Sequence, residues 1–167
     1  MKTKMTLADL QQNLMRRFAT GVPNGWLLGW NERRLQSELA TAVRPLKMQN
    51  CTSFDYAFCN HFDVSFDGDG EYYDYVLTIR ISFVCDFYCL HWTRHKRSGN
   101  KEGRPVRTPE TPDARVLERR VRELLAEHGF LEIPDEWMDE PAPEVKLELA
   151  GTRNVTISKC VFEDYEG

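Results

Sequence analysis

From Phe54 to Trp92 the chain alternates apolar and polar residues, and this period of two constrains the fold more than any other feature. Phe54, Tyr56, Phe58, Phe62, Val64 and Phe66 fall on one side, with Asp55, Ala57, Cys59, His61, Asp63 and Ser65 on the other. That is the pattern of a strand with one face on a core and one in water. Asn60 alone interrupts the apolar side. After Asp67-Gly68-Asp69-Gly70 the alternation resumes with Tyr73, Tyr75, Leu77, Ile79, Ile81, Phe83, Cys85, Phe87 and Cys89, set against Asp74, Thr78, Arg80, Ser82 and Asp86. A turn centred on Gly68-Asp69 pairs Phe66 with Glu71, Val64 with Tyr73, Phe62 with Tyr75 and Phe58 with Ile79, so that both apolar sets land on one side. The second strand would run roughly 70 Å if straight, at about 3.3 Å per residue, and a bend or bulge is expected near Ser82 to Asp86.

Helical signals flank this hairpin. Thr6 and Asp9 form a capping box ahead of Leu7, Leu10, Leu14 and Phe18, which recur on one face, and Gly21, Pro23 and Gly25 end that helix. Asn31 caps a second helix with Leu35, Leu39, Ala42 and Val43 as its stripe, closed by Pro45. Thr111 caps a third with Pro112 at its first position, Leu117, Val121, Leu124 and Leu125 buried, and Gly129 as its stop. Residues 93–110 hold two Gly, two Pro and six basic residues without periodicity and read as a flexible basic loop. Residues 132–144, with Pro134, Pro141 and Pro143, read as an acidic connector, and Val145, Leu147 and Leu149 with Val155, Ile157 and Val161 read as a second hairpin about Gly151. The order α-α-β-β-α-β-β predicts a single α+β domain over 1–167, two-layered, with a mostly antiparallel sheet of about four strands and three helices on one face.

The net charge of -4 over 167 residues conceals segregation. Residues 1–50 carry eight basic and three acidic groups, residues 51–92 one and seven, residues 93–107 six and one, and residues 132–167 three and ten. Such fields steer charged partners. Five cysteines without paired spacing point to thiols in a reducing compartment, and the polar residues that interrupt the first helix exclude a signal peptide, so a cytoplasmic location without membrane attachment is expected.

The wet face of the hairpin gathers Asp55, Cys59, His61, Asp63, Asp74, Thr78 and Arg80, with Asp63 directly opposite Asp74. Two carboxylates that close repel each other unless a cation, a shared proton or a basic partner intervenes. Asp55, His61, Asp63, Asp67, Asp69, Glu71, Asp74 and Arg80 are therefore the expected partner-binding residues. The run from Asp63 to Asp74 loosely fits a calcium loop, yet its flanks are strands, and a hairpin turn is the expected outcome. Cys85, Cys89, His91 and His95 spread over too much strand to share a zinc ion, and no C-x-x-C occurs; Cys59, beside His61, is the one thiol with any prospect of reactivity. The chain has no nucleophile elbow, phosphate-cradling loop, H-E-x-x-H or kinase signature, and no catalytic residue, metal or cofactor is assigned.

These features predict a small acidic protein that binds a protein partner and blocks its basic or nucleic-acid-binding surface, as toxin-immunity proteins and phage anti-defence inhibitors do. A second expectation is nucleic-acid binding through Arg94, Lys96, Arg97, Lys101, Arg104 and Arg107, next to Trp92. A third is a hydrolase or metal enzyme built on Asp63, Asp74 and His61.

Overall fold

The computed structural model describes residues 4–67, 73–97 and 103–165. Helix α1, Leu7–Phe18, starts at the predicted capping box: Thr6 Oγ1 accepts from the Asp9 N–H at 3.1 Å, and Asp9 Oδ2 accepts from the Thr6 N–H at 2.9 Å. The loop after it contains a short helix, α2, Gly25–Leu28, capped by Asn24. Gly25 has no room for a side chain, since a Cβ there would lie 2.5 Å from the Phe54 ring. Helix α3, Gln36–Ala42, begins later than its sequence signal. Asn31 closes a turn on the Arg33 N–H instead of capping the helix, and Leu35 takes a left-handed conformation with φ 62°. The physical cause is Arg34, which is drawn into the sheet, where it donates to Asn60 Oδ1 and to the carbonyls of Ile81 and Ser82. Its guanidinium lies 5.3 Å from both the Trp30 and Phe130 ring centres.

The expected α+β, two-layer architecture with a mostly antiparallel sheet is present, with five helices and six strands among the described residues. The strands are β1 Met48–Asn50, β2 Cys59–Asp67, β3 Tyr73–Ser82, β4 Phe87–Lys96, β5 Arg104–Val106 and β6 Leu131–Glu132. They lie in the order β1-β2-β3-β4-β5, and β6 runs parallel to the start of β4. Helix α4, Pro112–Glu127, begins at the predicted Thr111 cap, and Gly129, with φ 85°, ends it and leads into β6.

Three strand expectations need correction. The β2–β3 pairing is displaced by four residues from the one deduced: Phe62 faces Ile79, Val64 faces Leu77 and Phe66 faces Tyr75. An even displacement keeps every side chain on its face, so alternation cannot distinguish the two registers. Asp63 therefore pairs with Thr78, and Asp74 with Asp67. The turn proposed at Gly68-Asp69 lies outside the described residues. Next, the long second strand does not bend; it reverses. β3 ends at Ser82, and β4 returns so that Ile81 faces Tyr88 and Arg80 faces Cys89. The odd-numbered apolar pattern runs straight through this turn because Phe83, Phe87 and Cys89 are buried on either side of it, while Asp86 at the turn is exposed. Finally, the basic segment is no structureless loop. β4 and β5 pair Trp92 with Val106, Thr93 with Pro105 and Arg94 with Arg104.

The three predicted helices do not share one face of a four-stranded sheet. The sheet has six strands among the described residues and separates two apolar clusters, with α1 in a different one from α3 and α4 because its stripe packs on the C-terminal segment. On one face Phe62, Val64, Phe66, Leu77, Ile79, Ile81, Tyr88 and Trp92 pack against Leu39 and Val43 of α3 and against Leu117, Val121 and Leu125 of α4. On the other side Cys59, Phe83, Phe87 and Cys89 pack with Leu10, Leu14 and Phe18 of α1 and with Ile133, Ala142, Val145, Leu147, Val155 and Ile157 from the C-terminal segment. The predicted second hairpin does not form. Val145 and Leu147 are buried and their neighbours exposed, as the alternation requires, but the segment is extended chain held by isolated bonds such as Leu147 N–H to Gly151 O. Ile157–Val161 is a short helix, α5, capped by the Thr156 hydroxyl, because Ile157, Cys160 and Val161 all have to reach the same core. Among the described residues no helix is long and apolar enough to cross a membrane.

Candidate functional site

The C-terminal segment covers only part of the sheet face opposite α3 and α4. It reaches Cys59, whose thiol lies 3.4 Å from the Phe162 carbonyl oxygen and is buried. Burial pushes that thiol up to about 12, so Cys59 is not the reactive cysteine its position beside His61 suggested. Further along β2 the cover ends, and His61 and Asp63, two residues apart on the same face, are half-buried.

Asp63 is the hub of this open patch. Its Oδ1 accepts from His61 Nε2 at 2.9 Å and from the Thr78 hydroxyl at 2.8 Å, and its Oδ2 accepts from the Cys51 thiol at 3.6 Å. Three strands contribute. Cys51 follows β1 directly, and its N–H donates to the His61 carbonyl at 2.8 Å, while Thr78 stands opposite Asp63 on β3. Burial alone would raise the Asp63 carboxyl, but the bonds from His61 and Thr78 outweigh it and hold the group below its usual range. The Cys51 thiol is raised, first by burial and then by the Asp63 charge. His91, opposite Thr78 on β4, is held down to about 4 by the surrounding protein and by Arg80. The sulfur of Cys51, a ring nitrogen of His61 and a carboxylate oxygen of Asp63 all lie within 4.8 Å of one another, a set that can hold a metal ion. Local spacing could not reveal it, since Cys51 sits twelve residues before Asp63, just past the end of another strand, β1.

Among the described residues Arg80, opposite His61 on β3, is the one other predicted partner-binding residue that borders this patch. Asp55 precedes β2 and accepts from the Trp26 indole N–H at 3.2 Å. Asp74 pairs with Arg97 at 2.8 Å, and Arg80 pairs with Glu163 at 3.4 Å. Asp69 and Glu71 lie outside the described residues, and Asp67 is placed by its backbone pairing with Asp74. On this face Asp74 is matched by Arg97, while Asp63 and Asp55 are held by hydrogen bonds from His61, Thr78 and Trp26. The Asp63 and Asp74 pair on which the enzyme expectation rested does not exist.

The basic set is redistributed too. Arg94 lies over the Tyr73 ring at 4.2 Å, Arg97 is taken by Asp74, Lys96, Arg104 and Arg107 are exposed, and Lys101 lies outside the described residues. Trp92, expected to flank the basic stretch at the surface, is buried, and its indole donates to Glu118 at 2.6 Å. That carboxylate also accepts from Thr108 and, at 2.9 Å, from Arg122, so the buried tryptophan fastens β4 to α4.

Exposed, uncommitted acid is concentrated elsewhere. Asp135, Glu136, Asp139, Glu140, Glu144 and Glu148 are all exposed, and none forms an ion pair among the described residues. The expected connector is anchored chain: Ile133 is buried just before these acids and Ala142, Val145 and Leu147 are buried between them, a 3₁₀ turn spans Asp135–Trp137, and Pro141 bridges to Thr156. Comparison of the chain with protein-family models, with curated proteins and with solved structures finds no match.

Proposed function

We propose that this protein works by binding a macromolecular partner and blocking a basic surface on it, as a toxin-immunity or anti-defence inhibitor does. The observation that carries this reading is the strip from Asp135 to Glu148, where six exposed carboxylates form no ion pair among the described residues, against one basic residue, Lys146, while Ala142, Val145 and Leu147 between them are buried. A charged strip on anchored backbone speeds encounter with an oppositely charged surface and loses little conformational freedom on docking. The strip takes the role first expected of the β2–β3 face, where Asp63 and Asp74 are engaged by His61 and Arg97.

The test compares the parent with a Glu136→Lys, Asp139→Lys, Glu140→Lys, Glu144→Lys variant in affinity capture from the native host, with bound proteins identified by mass spectrometry. A basic protein retained by the parent and lost from the variant is the expected result. Equal retention by both would remove the strip as the docking surface. The nucleic-acid reading is supported by Arg94 on Tyr73 and by exposed Lys96, Arg104 and Arg107. Retardation of DNA or RNA at low salt that disappears in a Lys96→Ala, Arg104→Ala, Arg107→Ala variant would favour it instead.

A further inference from the structure

We propose that Cys51, His61 and Asp63 form a mononuclear site for a divalent cation of the zinc class, with three protein ligands and a fourth position open to water. The donor set selects the ion. A thiolate sulfur beside an imidazole nitrogen suits zinc or cobalt and is foreign to calcium and magnesium, which take oxygen. Spacing agrees with the choice. In a tetrahedral site with bonds of about 2.0 to 2.3 Å the ligand atoms stand roughly 3.3 to 3.7 Å apart. Cys51 Sγ and Asp63 Oδ2 are 3.6 Å apart, and His61 Nε2 and Asp63 Oδ1 are 2.9 Å apart with a proton between them that an ion would replace. All three atoms lie within 4.8 Å of one another.

The support around the ligands is what a metal site needs. Thr78 donates to Asp63 Oδ1 at 2.8 Å and fixes the carboxylate, the kind of outer contact that orients a ligand. The Thr52 hydroxyl accepts from the His61 N–H at 3.0 Å, and the Cys51 N–H holds the His61 carbonyl at 2.8 Å, so the two strands carrying the ligands are tied together beside the site. Cys51, His61 and Asp63 are half-buried, accessible to an ion yet partly shielded from water. Binding proceeds without redox change: the Cys51 thiol proton leaves to solvent and the His61 proton moves from Nε2 to Nδ1. One proton is released per ion when His61 starts neutral. With three protein ligands the ion keeps an exchangeable position, unlike a closed structural site. None of these residues belongs to the acidic strip, so the fate of this site and that of the blocking function are independent.

The full chain, stripped with chelator, is titrated with Co²⁺ and followed by visible and near-ultraviolet absorption. The expected result is saturation at one equivalent with a thiolate-to-cobalt charge-transfer band, bleached by Zn²⁺. Cys51→Ser should lose that band, Asp63→Asn should weaken binding, and Thr78→Val should weaken it about tenfold. Cys85→Ser, altering another partly exposed thiol, should change nothing. Far-ultraviolet circular dichroism of the metal-free variants checks their folding, and Asp63→Asn decides the matter if Cys51→Ser does not fold. Absence of saturable binding by the parent, or a band that survives Cys51→Ser, would overturn the site.

Discussion

The two faces of the sheet are built on different principles. The face under α3 and α4 is closed by periodic apolar stripes: Phe62, Val64, Leu77 and Ile79 meet Leu39, Val121 and Leu125, all buried, with Glu118 and Asn60 as buried polar groups each fixed by its own partners. The opposite face is closed at one end by α1 and irregular chain and left open at the other. Its closure buries groups that need individual partners. Asp164, 2 % exposed, accepts from the N–H groups of Leu149 and Ala150, and Ser82 donates to the Val161 carbonyl. Regular layers satisfy their own backbone, whereas irregular cover has to be satisfied bond by bond. Where the cover stops, β2, which buries Cys59, presents His61 and Asp63, with the buried Thr78 of β3 beneath them.

The largest effects test whether the two clusters stand or fall together. Phe62→Ala on the helical side and Phe162→Ala on the other, both fully buried, should each cost about 3 to 5 kcal/mol in denaturant unfolding. Coincident loss of far- and near-ultraviolet signals in both variants is expected; a separate early transition in Phe162→Ala alone would show that the irregular cover unfolds by itself.

Asp164→Ala should cost roughly 2 to 3 kcal/mol, because two backbone donors lose a charged acceptor inside the protein. A cost within experimental error would show that the cover is held by its apolar residues alone.

A smaller effect separates the open end. The folded-state carboxyl of Asp63 lies below its usual range, so it contributes stability that is present above the unfolded value of about 3.9 and is lost as pH falls through the folded one. Between about pH 5 and pH 3 the parent should therefore lose more stability than Asp63→Asn, by less than about 1 kcal/mol because the group is only half-buried. Parallel acid curves would show that the bonds from His61 and Thr78 do not stabilise the fold. Smallest of all, Leu27→Ser at an 88 % exposed position in α2 should move the melting midpoint by less than the equivalent of about 0.5 kcal/mol.

Much of this was legible in the residues. The Thr6 and Thr111 caps, the stripes of α1 and α4, the stop at Gly129 and the faces of β2 and β3 follow from periods and caps that a segment imposes on itself. Three things were not. The four-residue displacement of β2 against β3 leaves all faces unchanged, and it alone decided that Asp63 meets Thr78 instead of Asp74. The reversal between Ser82 and Phe87 leaves no mark in the alternation, since Phe83 and Phe87, on either side of the turn, are both buried and keep the odd-numbered apolar pattern running through it. Val155 to Val161 alternates like a strand yet forms a helix over Ile157–Val161 capped by Thr156, because Ile157, Cys160 and Val161 all enter one core cluster. The sequence by itself determined which residues are inside and which local elements start and stop, because those are short-range demands. Only the tertiary structure decided register, the pairing of charges and the meeting of Cys51 with His61 and Asp63, because these depend on which strands lie side by side, and side chains of one period are interchangeable until neighbours choose among them.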